Sequence, residues 1–177
     1  AAYGESDYKP TWVAVNEERL GGNGDIWVAD GYGQSYVHRY DMDGNYLNSI
    51  NGQEGSAGAF DCPHGIFIDR RKSEPELYVA DRSNRRVQVY DLEGGFKRVF
   101  GSDFLSSPSD FVTHGPLMVI AELRARLAVV DSNDSLVTYL GDNEDVANID
   151  SWPNVPHEHI ETGKFNSPHG LAVDGDG

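Results

Sequence analysis

Apolar residues along this chain come in short runs that alternate with polar ones and stop at Gly, Asp or Asn. Representative runs are Ile26-Trp27-Val28-Ala29-Asp30, Leu77-Tyr78-Val79-Ala80-Asp81 and Met118-Val119-Ile120-Ala121-Glu122. β-Branched and aromatic residues bounded by turn formers predict strands rather than helices. No stretch carries apolar residues at helical spacing, so an all-β fold is expected.

The runs repeat. Pro10-Thr11-Trp12-Val13-Ala14-Val15 matches Pro63-His64-Gly65-Ile66-Phe67-Ile68-Asp69 and Pro168-His169-Gly170-Leu171-Ala172-Val173-Asp174, and more faintly Pro108-Ser109-Asp110-Phe111-Val112. A second strand ending in Asp30, Asp81 or Glu122 follows the first three of these in chain order, at Pro10, Pro63 and Pro108. A third strand ends at Asp41, Asp91 or Asp131, and after a turn such as Asp43-Gly44-Asn45 a fourth closes at Gly52, Gly101 or Gly141. Four short antiparallel strands per repeat are the signature of a propeller blade. The expected organisation is one partial propeller domain over 1–177, with blades at 8–52, 59–102 and 104–142. An insertion at 143–164 precedes the opening strand of a further blade at 165–177. An arc that stops inside a blade leaves strand edges unpaired. Truncation of a longer protein is the favoured expectation, and self-association that completes the ring is the other.

Blade geometry selects the candidate chemistry. The first strand lies nearest the channel, so the residue after the opening proline sits at the channel mouth, on the rim where the second strand ends. That places His64 with Arg82 and puts Tyr32 on the same rim. The post-proline series runs Thr11, His64, Ser109, His169, with histidine in alternate blades. In a six-bladed ring, three such histidines would form a trigonal set with an open position, the arrangement a catalytic zinc needs. The alternative is that these imidazoles only hydrogen-bond across the channel. His157-Glu158-His159, in the insertion, is expected to face solvent, and Cys62 to be a small buried thiol. Asp30, Asp81 and Glu122 recur at equivalent strand ends, which argues for turn stabilisation. Glu122-Leu123-Arg124-Ala125-Arg126 reads as a solvated loop with local ion pairs, or as part of a mouth for something anionic.

Charge and composition narrow the partners. The formal net charge of −15 argues against a nucleic-acid partner. No apolar run approaches a membrane span, and Ala1–Tyr8 lacks a signal-peptide pattern, as a matured chain would too. With one cysteine, no disulfide can form within the chain, and the compartment stays open.

At these motifs the chain resembles the NHL-repeat family, and more narrowly the peptidyl-α-hydroxyglycine α-amidating lyase domain of peptidylglycine α-amidating enzymes. The resemblance runs from Lys9-Pro10-Thr11 through Asp30-Gly31-Tyr32, Cys62-Pro63-His64 and Ala80-Asp81-Arg82, and returns at Ser167-Pro168-His169. It implies an NHL-type six-bladed propeller, with zinc held by three channel histidines, two of which fall on His64 and His169. It also implies Tyr32 as catalytic base, Arg82 as carboxylate ligand, and a peptide amide and glyoxylate as products. The family's structural calcium uses an aspartate where this chain has Gly170, and Gly33 and Tyr78 stand where its cysteines would be. Two functions follow. One is a binding scaffold that presents its channel rim to a protein, peptide or small molecule. The other is a zinc-dependent lyase of the amidating type, active only in a complete ring.

Overall fold

The computed structural model describes residues 7–174, and its strands form three four-stranded antiparallel sheets. The first blade is β1 (Trp12–Val15), β2 (Ile26–Asp30), β3 (Tyr36–Tyr40) and β4 (Tyr46–Ile50). The second is β5 (Pro63–Asp69), β6 (Glu76–Asp81), β7 (Arg86–Tyr90) and β8 (Phe96–Phe100). The third is β9 (Pro108–His114), β10 (Leu117–Glu122), β11 (Arg126–Val130) and β12 (Leu136–Leu140). Strand order within each sheet follows chain order, and the inner strands β1, β5 and β9 stand side by side. This is the expected arc of propeller blades.

Period-two alternation explains the packing. On β6, Leu77 and Val79 face the first blade, in a core with Trp27, Ala29, Val37 and Ile66. Tyr78 and Ala80 face the third, in a core with Val89, Phe111, Met118 and Ile120. The middle blade is thus buried on both faces, and every residue of β6 is buried. β2 and β10 each bury one face, so Trp27 and Ala29, or Met118 and Ile120, alternate with half-buried residues.

The turns after the third strands share one device. Asp41, Asp91 and Asp131 each accept backbone N–H groups from the residues two and four positions on. This side-chain-to-backbone pattern closes tight turns. The position before the second of these donors has positive φ, taken by Gly44, Gly94 and, at φ 63°, Asp134. Asp134 accepts from Tyr78, Arg98 and Lys72, which accounts for a carboxylate where the other blades place glycine.

The acids that end the second strands tie down the segments entering the first strands. Asp30 accepts from the Lys9 amide, Asp81 from the Asp61 amide, and Glu122 from the Ser106 and Ser107 amides. Asp81 and Glu122 are also paired with Arg86 and Arg126. They hold the chain just before Pro10, Pro63 and Pro108, and so set the position of the residue that follows each proline.

The insertion contains short 3-10 turns at Glu144–Asn148 and His157–His159, of which only the first buries side chains, Val146 and Ala147. Residues 165–174, expected as an opening strand, are hydrogen-bonded to β9 at Ser109 and Asp110 but form no ladder among the described residues. Residues 175–177 of that expected blade lie outside the described residues.

Candidate functional site

The inner strands are joined by a chain of donors at the post-proline position. The Thr11 hydroxyl lies 3.0 Å from the carbonyl oxygens of both Pro63 and His64. His64 Nδ1 donates to the Ser109 carbonyl at 3.0 Å, and the Ser109 hydroxyl donates to that of His169 at 3.1 Å. Each side chain therefore reaches the backbone of the equivalent residue in the following blade. Gly65 permits the close approach: a Cβ there would sit 2.3 Å from the Ser109 carbonyl oxygen and 2.9 Å from the Asp110 Cα.

The bond to Ser109 fixes the His64 tautomer, because a carbonyl only accepts. Nδ1 carries the proton, and the Nε2 lone pair faces the channel. The Tyr32 hydroxyl lies 3.2 Å from Nε2 and so donates to it. Arg82 donates to the Tyr32 oxygen at 3.1 Å, and its guanidinium lies over the Tyr32 ring at 5.2 Å. Arg82, Tyr32 and His64 thus form one hydrogen-bonded line from the rim into the channel. Burial pushes the His64 pKa down to about 4; the Ser109 bond opposes this, and Arg82 and His169 add to it. The ring is neutral at neutral pH.

His169 stands edge-on to His64, with ring centroids 4.6 Å apart. Its backbone is held by Ser109 and, two residues on, by the Leu171 amide, which donates to Asp110 at 2.7 Å. The structure thus gathers His64, His169, Tyr32 and Arg82 at one channel mouth. Sequence reasoning did not single out Ser109, Asp110 or Trp12 as site residues. The Trp12 ring lies 6.2 Å from that of His64 and closes the other side. The post-proline series held the signal for Ser109, since a hydroxyl there can replace the imidazole's donor.

A neutral imidazole whose far nitrogen is anchored on a carbonyl is how a metal-binding histidine is normally oriented. The two rings suit two positions of a zinc centre, although no group of three or more His, Cys, Asp or Glu side chains converges among the described residues. At Gly170, where the calcium-binding aspartate was expected to be missing, the nearby carboxylate is Asp110, already engaged by Leu171. Cys62 is buried, and burial pushes its thiol pKa up, against Arg82. His157 and His159 are exposed on their short turn.

No family model matches the chain. Over 178 residues, 96% of its length, it is 28% identical to the probable peptidyl-alpha-hydroxyglycine alpha-amidating lyase pgal-1 of Caenorhabditis elegans, of which it spans 45%. Over 115 residues, 60% of its length, it is 30% identical to NHL repeat-containing protein 3 of Homo sapiens, of which it spans 32%. The chain therefore covers less than half the length of these curated relatives. Among solved structures, Kuenenia stuttgartiensis hydrazine synthase superposes on 77% of the chain and 36% of its own, with TM-score 0.57 and 13% identity, a likeness of fold alone.

Proposed function

We propose that the channel mouth of this arc of NHL-type blades, similar in sequence to the amidating lyases, is part of a peptidyl-α-hydroxyglycine lyase site. The observation that carries the reading is the hydrogen-bonded line from Arg82 through Tyr32 to His64, with His169 beside it.

In the reaction, the hydroxyl proton of a peptidyl-α-hydroxyglycine leaves its oxygen. The carbon–oxygen double bond of glyoxylate forms as the carbon–nitrogen bond breaks, and the amide nitrogen takes a proton. Tyr32 is the group placed to move the hydroxyl proton. Arg82 donates to the Tyr32 oxygen and offers its planar fork to the substrate carboxylate. His64, with its Nε2 released from the Tyr32 hydroxyl, and His169 would hold zinc together with a third ligand. Bound there, zinc supplies Lewis acidity at the substrate hydroxyl. The Trp12 ring beside His64 gives that side of the site an apolar wall.

The test measures glyoxylate released from an α-hydroxyglycine-extended peptide, with zinc supplied, by an intact protein containing this arc. Release lost in the Y32F and H64A variants supports the reading; release unchanged in both overturns it. A second reading is a rim that binds peptide or protein without chemistry. It is favoured by the half-exposed Tyr32 with Arg82 stacked on it, since aromatic and arginine side chains are frequent interface anchors. Peptide binding with no glyoxylate release would select that reading.

A further inference from the structure

The chain has 14 lysines and arginines, and among the described residues all but four pair with a carboxylate. The four without one are Arg70, Arg82, Arg85 and Arg124. Three of these line a single cleft of about 470 Å³, between the loops that follow β6 and β10. The cleft's one carboxylate, Glu144, already accepts from Arg126 at 3.2 Å. Arg124 donates to the neutral Asn148 side chain at 2.7 Å, and Arg85 stands exposed in its loop. In a chain of net charge −15, unneutralised positive charge is thus gathered at one place. Guanidinium groups collected without counter-charges repel one another and are relieved by an anionic ligand.

Arg82 belongs both to this cleft and to the line through Tyr32 to His64, so the cleft borders the channel mouth. A ligand whose carboxylate sits at Arg82 and whose body enters the cleft would lie among Arg85, Ser106, Ser107, Arg124 and Trp152. We propose that this cleft reads the peptide upstream of the carboxylate held by Arg82 and selects acidic side chains there. The inference rests on the reading of the channel mouth as a site for a peptide's C-terminal end. The overall negative charge disfavours long polyanions, whereas a short acidic peptide meets only the local positive patch.

The test uses fluorescence anisotropy with three probes that share a free C-terminal carboxylate: dansyl-Tyr-Glu-Gly, dansyl-Tyr-Gln-Gly and dansyl-Tyr-Lys-Gly. The Glu probe is expected to bind about tenfold tighter than the Gln probe at low salt, as charge-assisted hydrogen bonds of this kind allow. The Lys probe should bind weakest, and the Glu-over-Gln ratio should shrink as salt is raised. In an R85Q/R124Q chain the ratio should fall to about one, while a charge-keeping R85K/R124K chain retains a preference and controls for folding. Equal affinity for Glu and Gln probes, a ratio that survives R85Q/R124Q, or no binding of any probe overturns the proposal. An acidic preference without glyoxylate release removes the lyase reading alone. Glyoxylate release with equal affinity for the Glu and Gln probes removes the cleft alone.

Discussion

His64 Nδ1 donates to the Ser109 carbonyl oxygen at 3.0 Å, so one blade's channel imidazole is oriented by the backbone of the next. The bond leaves Nε2 unprotonated and turned to the Tyr32 hydroxyl. Imidazole ¹⁵N shifts at pH 7 should therefore report His64 as neutral with the proton on Nδ1. A spectrum of the Nε2-protonated form would contradict this geometry.

At Gly65 the backbone of the second blade lies against that of the third. Gly65→Ala puts a methyl group against the Ser109 carbonyl and the Asp110 Cα, neither of which can rotate away. Overpacking of this kind is expected to lower stability by about 2 kcal/mol and to displace His64. Urea unfolding checks the first effect, and loss of the His64 tautomer signature checks the second.

The two-faced burial of the middle blade predicts unequal sensitivity along the arc. Leu77→Ala, in the core between the first and second blades, is expected to cost about 3 kcal/mol. Val13, 55% exposed on β1, should tolerate alanine within about 0.5 kcal/mol. Equal losses at the two positions would be incompatible with the packing described.

Glu76 is a buried carboxylate shared by Arg98, Lys97 and Lys72. Burial alone would raise its pKa, but the hydrogen bonds from Arg98 and Lys97 outweigh it and hold the group at about 2, below its ordinary 4.5. Between these values the unfolded chain binds the proton that the folded chain does not. Stability from Glu76 is therefore complete above pH 4.5 and is lost as pH falls towards 2. By pH 3 the loss should reach about 2 kcal/mol. Urea midpoints at pH 7 and 3 should show a smaller drop for Glu76→Gln than for the native chain.

Much of the fold is legible because blade packing is local in sequence. The apolar run of β6 marks a strand buried on both faces, and the Asp and Gly punctuation marks its turns. The post-proline series places His64 at the channel mouth, and antiparallel pairing brings the loop of Arg82 to the same rim. Other features depend on contacts between distant positions. Asp134 looks like an ordinary turn residue until packing brings Tyr78 and Arg98 to its carboxylate. The cleft is hidden for the same reason, since Arg82, Arg124 and Trp152 come from two blade loops and the insertion. The segment 165–174 has the motif of an inner strand, yet a ladder requires a partner that the motif does not encode.

The donor chain along the inner strands makes Thr, Ser and His interchangeable parts. Thr11 and Ser109 tie their blade to the next through a hydroxyl, and His64 does the same through Nδ1. The imidazole performs that service with one nitrogen and keeps the other for the channel. A duplicated blade can therefore gain or shed a channel imidazole by a single substitution while its seam to the neighbour stays closed. Chemistry and architecture occupy the same position in the repeat, and they can be exchanged one blade at a time.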